Sequence, residues 1–387
     1  MASVVIGAAY GDEGKGQTVH SLATPHSTVV RFNGGCQAGH TVRHEGQRHV
    51  FSHIGSGTFN GAATHLSRFF VCHPAAFLAE WHTLGANGIA PRVSVSPDCL
   101  VTTIYDVILN RMIEFHRSGG RHGSVGAGFG ETIERNQMLR YSATIQDVLS
   151  GDLLDLLQSI REEWVPWRCS QLGIDPRIYT AWNAMLANDD VLKQALHDSS
   201  EFLKHVAVRD DEDVLAEAAD VVFEGAQGLL LDQDYGQFPY VTHSNTGIKN
   251  VRSLMGDAPL AVYYVTRAYT TRHGAGPLPF ELLAAPYAGI SDDTNVTNAW
   301  QGALRFSYLN LDDVGAAVRH DRQSLSPGSE AYSIVTCLDQ LPADCRVIEG
   351  GRVAEYKTGR LPQLVAEVFD RDLLGSPAAH SLSVEKP

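Results

Sequence analysis

The sequence predicts an α/β fold: one large domain around a central, mostly parallel sheet. Three observations carry this. Strand-length apolar runs recur at Val4–Ile6, Val221–Phe223 and Ala261–Val265. Each run feeds a glycine-bearing loop, and helical periodicity fills much of the chain between them. A length of 387 residues, with 44% apolar and 19% charged side chains, suffices for one large α/β domain.

Taken in order, residues 1–55 read strand, loop, helix, strand, loop and hairpin, with Glu45-Gly46 as the hairpin turn. Leu100–Ser118 carries helical periodicity, whereas Gly119–Gly130 is too rich in glycine to be the interior of an element. Residues 145–215 read as mostly helical, with Trp164, Trp167 and Trp182 as packing residues. Strands are expected at Asp220–Gly225, Leu260–Thr271 and Ser333–Leu338. No internal repeat or linker divides the chain, so residues 1–376 are expected to form one catalytic domain with helical and loop insertions. Residues 377–387 are expected to form a loosely ordered tail.

Bulk properties exclude several classes. A formal net charge of −14 argues against a general nucleic-acid binder, although a few local cations suffice for a nucleotide. No apolar run approaches the roughly 20 residues of a membrane span. Met1-Ala2-Ser3 leads directly into a strand, and the six cysteines are scattered without C-x-x-C pairs. These features read as a cytoplasmic protein with reduced thiols, in the host cytoplasm if the chain is viral. His40, His44 and His49 lie close together, but His44 and His49 flank the hairpin turn and are expected on a solvated ribbon rather than a metal.

Four glycine-bearing loops follow apolar runs: Gly11–Gly16, Gly34–Thr41, Gly225–Gly228 and Gly274–Gly276. Any one of them is most simply a plain turn. Four in one α/β chain converge on one sheet edge and point to a ligand site. The first is a phosphate cradle by its glycines and the helix start behind it. It is not the G-x-x-x-x-G-K-[ST] loop, because Ala9 and Gly16 stand where that pattern needs Gly and Ser or Thr. Lys15 is a cation for a phosphate or a developing oxyanion. Asp12, an acid inside a phosphate loop, reads as a magnesium ligand or a general base. His40, after residues small enough to leave room for a ligand, reads as a general acid. Gln227 offers a donor and an acceptor to the edge of a base.

Together these residues resemble the adenylosuccinate synthetase family, over roughly residues 3–340. The family's G-D-E-G-K-G stands here as Gly11–Gly16, its R-F-x-G-G-x-x-A-G-H-T as Arg31–Thr41, its F-E-G-A-Q-G as Phe223–Gly228, and its A-Y-T-T-R-x-G-A-G-P as Ala268–Pro277. The resemblance implies a P-loop-like nucleotide-binding ligase fold. It also implies a reaction joining L-aspartate to C6 of a purine monophosphate after a nucleotide γ-phosphate has activated the 6-oxo group. Under it, Asp12 takes the N1 proton and, with the Gly39 carbonyl, holds Mg2+. His40 is the acid near the transferring phosphoryl group, Lys15 neutralises charge, and Gln227 contacts the base. Gly11, Glu13, Gly14, Gly16, Gln37, Ala38 and Thr41 fall on nucleotide- or phosphate-binding positions. Ser124, Val125 and Thr246 fall where the family holds the monophosphate. Arg140 falls where a neighbouring subunit supplies an arginine, which implies a homodimer.

The chain also departs from the family. The motif T-T-G-R-P-R-R-x-G-W, which serves aspartate and ribose, is replaced around Thr297, Asn298, Gln301 and Arg305. Arg305 is retained, but the motif's first arginine has no counterpart. The guanine-reading T-K-L-D stands as Thr336-Cys337-Leu338-Asp339, so ATP or dATP stands beside GTP as the expected donor. Gln37 replaces an asparagine near the reacting oxygen. Such departures resemble the family's phage branch, which uses dGMP and makes N6-succino-2-amino-2'-deoxyadenylate for 2-aminoadenine DNA. Many members of that branch carry serine in place of the first-loop acid, whereas Asp12 is retained here. The expected substrate is dGMP; the alternative is IMP plus GTP giving adenylosuccinate. A non-catalytic nucleotide-binding regulator would have lost Asp12, Lys15 or His40, and all three are present.

Overall fold

The computed structural model describes residues 1–295, 297 and 300–370, and the backbone of 379–383. Among the described residues, nine strands form the central sheet. In chain order they are β1 (Ala2–Gly7), β2 (Ser27–Arg31), β3 (Ala63–Leu66), β4 (Val93–Val95), β5 (Ala207–Val208), β6 (Asp220–Glu224), β7 (Leu260–Arg267), β8 (Glu330–Thr336) and β9 (Ala379–Ser383). Their spatial order is β9-β8-β7-β1-β6-β2-β3-β4-β5, and every pairing is parallel.

A parallel sheet is covered on both faces, which is why its inner strands read as unbroken apolar runs. Val4, Ile6, Phe223, Val262 and Tyr264 pack on one face. Val5, Val222, Val265 and Ile334 pack on the other, against Val19 of the helix Lys15–Leu22. Because the strands are parallel, the carboxyl ends of β1, β2, β6, β7 and β8 lie along one edge, which carries the glycine-bearing loops.

Several expected elements shift. The run Leu260–Thr271 is two strands, because the chain leaves β7 at Ala268 and Tyr269–Arg272 joins a second sheet. That sheet is completed by Arg305–Asn310, Asp344–Glu349 and Arg352–Lys357. β8 starts at Glu330 and stops at Thr336, because Cys337 turns left-handed at φ 62. The helix expected from Leu100 begins at Ile104, behind a capping box between Thr103 and Asp106. Of the expected tail, 377–378 and 384–387 lie outside the described residues, and Ala379–Ser383 is an edge strand on β8. Trp164 is buried, whereas Trp167 is 41% exposed. No helix among the described residues is long and apolar enough to cross a membrane.

The hairpin forms where its turn residues place it. Strands His40–His44 and Gln47–Phe51 pair in register Arg43 to Arg48, with Glu45 and Gly46 at φ 47 and 79. It is not a fully solvated ribbon, however. His44 stacks on Phe59 at 5.7 Å between centroids, and His49 packs edge-on to Phe51 at 4.6 Å. The imidazoles therefore fill an aromatic seam between the hairpin and the segment Ser56–Asn60.

Candidate active site

The first loop is shaped from within by Glu13. Its buried carboxylate accepts the Ala9 and Gly11 amides at 2.7 and 3.2 Å and pairs with Lys15 Nζ at 3.2 Å. Lys15 is thereby held at the first turn of its helix, where the positive end of the helix dipole adds to its charge. Asp12 is turned outward at φ 61. Its carbonyl accepts Arg267 Nε at 2.5 Å, and Arg267 is itself paired with Asp292 at 2.9 Å. Asp12 Oδ2 lies 3.5 Å from His273 Nε2. Gln227 and Cys337 are also left-handed, at φ 56 and 62. Three non-glycine residues in this costly conformation around one cavity mark a functional site.

Gly16 shows why the familiar phosphate-loop serine is absent. A Cβ there would lie 2.8 Å from the His40 Cβ and 3.1 Å from Ser56 Oγ. The space a side chain would need is occupied by the second loop's histidine.

His40 is held by an acid whose role the sequence alone did not show. Its Nδ1 meets Glu224 Oε1 at 2.5 Å. Glu224, at the end of β6 and fully buried, also accepts the Ser56 amide at 2.9 Å and the Ser56 hydroxyl. Burial alone would raise the Glu224 carboxyl, but His40 and the Arg31 guanidinium beside it, with the hydrogen bonds from His40 and Ser56, hold it below the usual range. Burial lowers the His40 pKa, with Glu224 pulling the other way. The resting dyad is therefore carboxylate and neutral imidazole: Nδ1–H donates to Glu224, and Nε2 is left with its lone pair. The signal in the sequence was an acid closing an apolar strand, Val221-Val222-Phe223-Glu224.

Cross-ties fix the loops to one another. Asn33 donates to the Ala226 carbonyl at 3.0 Å and accepts its amide at 2.7 Å. Thr336 Oγ1 donates to the Glu13 carbonyl at 2.8 Å. The loops enclose a cavity of about 790 Å³. Of the residues singled out from sequence, it is lined by Gly11, Asp12, Glu13, Gly14, Lys15, Gly16, Gln37, Ala38, Gly39, His40, Thr41, Ser124, Val125, Gln227 and Gln301. Gln37 and Gln227 reach it with buried amide atoms, both of Gln37's and the Oε1 of Gln227, that have no protein partner.

Other singled-out residues lie elsewhere. Thr246 is buried, bonded to the Gly228 carbonyl at 3.1 Å and to Asp232. Arg140 is exposed and paired with Glu163. Asp339 is exposed on the turn Leu338–Gln340, and Thr297 is exposed. Arg305 lines a neighbouring cavity and is engaged by Glu281 at 2.5 Å. Asn298 lies outside the described residues.

Asp12 and the Gly39 carbonyl supply hard oxygens at the cavity wall, and no cluster of three or more His, Cys, Asp or Glu able to hold a metal exists among the described residues. The Asp12 carboxylate and the Gly39 carbonyl are the oxygen donors that Mg2+ takes, together with substrate phosphates.

The sequence profile of the adenylosuccinate synthetase family matches residues 4–305. Adenylosuccinate synthetase of Psychrobacter sp. strain PRwf-1 is 33% identical over 287 residues, 72% of this chain and 65% of that protein. The enzyme of Saccharophagus degradans is 34% identical over 290 residues, 72% of this chain and 64% of that one. The match thus spans about 65% of the length of these relatives. In fold, fully ligated adenylosuccinate synthetase from Plasmodium falciparum superimposes with a TM-score of 0.73 at 16% identity, covering 99% of this chain and 96% of that one. Succinoaminodeoxyadenylate synthetase of cyanophage S-2L, bound to dGMP and dATP, gives 0.55 at 16% identity over 95% and 99%. All four glycine-bearing loops that build the cavity fall inside the matched stretch, and the chain belongs to the adenylosuccinate synthetase family.

Proposed function

We propose that the chain is a C–N ligase that joins L-aspartate to C6 of a 6-oxopurine nucleoside monophosphate, using a nucleoside triphosphate. One observation carries this reading: Asp12, Lys15, Gln227 and the His40–Glu224 dyad converge on a single cavity. A 6-oxo group is a poor leaving group and phosphate is a good one, so the chemistry needs two steps. Asp12 accepts the N1 proton, O6 attacks the γ-phosphorus, the O6–P bond forms, and the bond to the departing diphosphate breaks. The α-amine of aspartate then attacks C6 and sheds a proton, and phosphate leaves with O6. Lys15 offsets negative charge during transfer. A phosphoryl anion in the cavity raises the His40 pKa, so the imidazole becomes the proton donor when the nucleotide binds. Asp12 and the Gly39 carbonyl would hold Mg2+ together with substrate phosphates, and the ion would supply Lewis-acid neutralisation of those phosphates.

For the base we propose guanine, as dGMP, giving N6-succino-2-amino-2'-deoxyadenylate. Its support is the altered segment from Thr297 to Leu309 and Cys337 in place of a lysine. A second reading, IMP with GTP giving adenylosuccinate, is favoured by the retained acid Asp12. Purified protein with aspartate and Mg2+, crossed against IMP and dGMP and against GTP, ATP and dATP, separates the two by product mass. Turnover of IMP alone removes the dGMP reading. The proposal extends to a homodimer in a cytoplasmic setting. Arg140 is exposed beside Leu139, which is 90% exposed, as a residue serving a partner's monophosphate would be. Mixing an Arg140→Ala chain with an Asp12→Asn chain should restore part of the activity, and no restoration would sink the shared site.

A further inference from the structure

Asp12 stands at φ 61, a left-handed conformation that L side chains rarely adopt, so its neighbours must hold it there. Arg267, buried at the end of β7, supplies part of that hold. Its Nε donates to the Asp12 carbonyl at 2.5 Å, and its Nη1 donates to Asp292 Oδ2 at 2.9 Å. Burial would raise the Asp292 carboxyl, but the Arg267 guanidinium and the Asn295 hydrogen bonds hold it down at about 2, so it stays a carboxylate.

Asp292 also organises its own segment. Its Oδ1 accepts the Thr294 and Asn295 amides at 3.0 and 2.9 Å, and its Oδ2 accepts Asn295 Nδ2 at 2.7 Å. With Nδ2 committed to that carboxylate, Asn295 Oδ1 is the atom that faces His273, 3.1 Å from Nε2. An amide oxygen only accepts, so Nε2 carries a proton. The same Nε2 lies 3.5 Å from Asp12 Oδ2. The contacts therefore close a ring: they leave Asp12 by its carbonyl, run through Arg267, Asp292, Asn295 and His273, and return to its carboxylate. Thr294 Oγ1 accepts from Thr41 Oγ1 at 3.2 Å and Arg48 Nη2 at 2.9 Å, which fastens this segment to the hairpin that begins at His40. His273 occupies the unspecified position of the A-Y-T-T-R-x-G-A-G-P stretch, so that motif does not account for it.

We infer that Asp292 and His273 are positioning residues for Asp12. This rests on the ligase reading above, in which Asp12 takes the N1 proton. Asp292 keeps Arg267 on the Asp12 carbonyl and so maintains the left-handed turn. His273, steadied by Asn295, stands against Oδ2 and leaves the other carboxylate oxygen to the purine. Both act through Asp12 rather than on the substrate.

Asp292→Asn isolates the effect. Its carbonyl oxygen must face the Thr294 and Asn295 amides, so its NH2 meets Arg267 Nη1 donor to donor. The turn remains and the link to Asp12 is lost. Steady-state kinetics and a crystal structure of the variant read the result. The kcat should fall about 10- to 100-fold, as it does when a catalytic group is displaced. The KM for aspartate and for both nucleotides should stay within about threefold of wild type, because ground-state binding is untouched. Asp12 should leave its left-handed conformation. His273→Leu should lower kcat about tenfold in the same pattern. His273→Gln returns an N–H donor at that distance and should recover most of the rate. If Asp292→Asn does not fold, the two His273 variants decide. A kcat within about threefold of wild type in either Asp292→Asn or His273→Leu would overturn the inference. So would an unmoved Asp12 in the Asp292→Asn structure, a His273→Gln as slow as His273→Leu, or a raised aspartate KM with kcat intact, which would make these residues substrate ligands. Wild type that forms no succinyl-nucleotide would remove the ligase reading, and the Asp12 conformation in Asp292→Asn would then decide the positioning role by itself.

Discussion

Replacing Glu224 by glutamine tests the dyad at the level of single protons. In the native site Oε1 accepts His40 Nδ1 at 2.5 Å and the Ser56 hydroxyl, and Oε2 accepts the Ser56 amide at 2.9 Å. The Ser56 N–H can only donate, so the carbonyl oxygen of a glutamine must face it. The opposite orientation would set donor against donor and cost about 1–3 kcal/mol. The glutamine NH2 then faces His40 Nδ1, which must become an acceptor. The imidazole proton moves to Nε2, and the cavity-facing nitrogen loses the lone pair that takes up a proton when phosphate arrives. The Ser56 hydroxyl turns to accept from the glutamine NH2, so the fold survives, whereas catalysis loses its acid. The expected loss in kcat is about 10²- to 10⁴-fold, the span of a general acid–base contribution or a wrong tautomer. Initial rates at saturating substrates, a melting curve and 15N histidine shifts form the assay. A kcat within threefold of wild type, or a proton still on Nδ1 in Glu224→Gln, would refute the reasoning.

Three further outcomes follow from the same geometry. Asp12→Asn should abolish turnover by about 10³-fold or more with the melting temperature unchanged, because the amide cannot take the N1 proton; full activity would remove Asp12 as the base. Gly16→Ser, which would restore the familiar phosphate-loop residue, should instead cost activity, because its Cβ would lie 2.8 Å from the His40 Cβ; rates and melting of the variant decide it. Stability should depend on pH with two opposed signs. His40, His53 and His73 are held below their ordinary value by burial, His73 at about 4, so their contribution is present above about pH 6.5 and lost as pH falls through the folded values. Buried Asp321 is raised from 3.8 to about 6, so its contribution is present below about pH 3.8 and lost as pH rises through 6. Asp321→Asn keeps an acceptor for the Ile248 amide and a partner for the Tyr264 hydroxyl. It should therefore stabilise the protein at pH 8 by up to about 3 kcal/mol, and hardly at all at pH 4. Equal melting shifts at both pH values would contradict the assignment.

What the sequence made legible has a physical pattern. The inner strands β1, β6 and β7 are buried on both faces and must be apolar without interruption, so they are visible as runs. The hairpin turn is visible because Gly46 suits a left-handed position, although Glu45 before it is left-handed too. β3, β4 and β5 are only four, three and two residues long, too short to show a period. Arg352–Lys357 is mostly exposed at the edge of the four-stranded sheet, so no apolar run announces it. Among site residues, Asp12, Lys15 and His40 stand in loops whose glycines advertise a ligand. Glu224 is marked only as an acid closing an apolar strand, and its role stays hidden because its partner His40 is 184 residues away and comes beside it only on folding. The Arg305–Glu281 fork is hidden for the same reason: an exposed acid 24 residues before an arginine becomes a bidentate pair only after folding.

The central claim is that O6 of the purine leaves as phosphate. Monophosphate labelled with 18O at position 6 tests it most directly, in the presence of protein, aspartate, Mg2+ and the triphosphate. The account predicts one 18O in the inorganic phosphate for each succinyl-nucleotide formed, with none left in the purine product. Unlabelled phosphate, or triphosphate hydrolysis without a succinyl product, would contradict it.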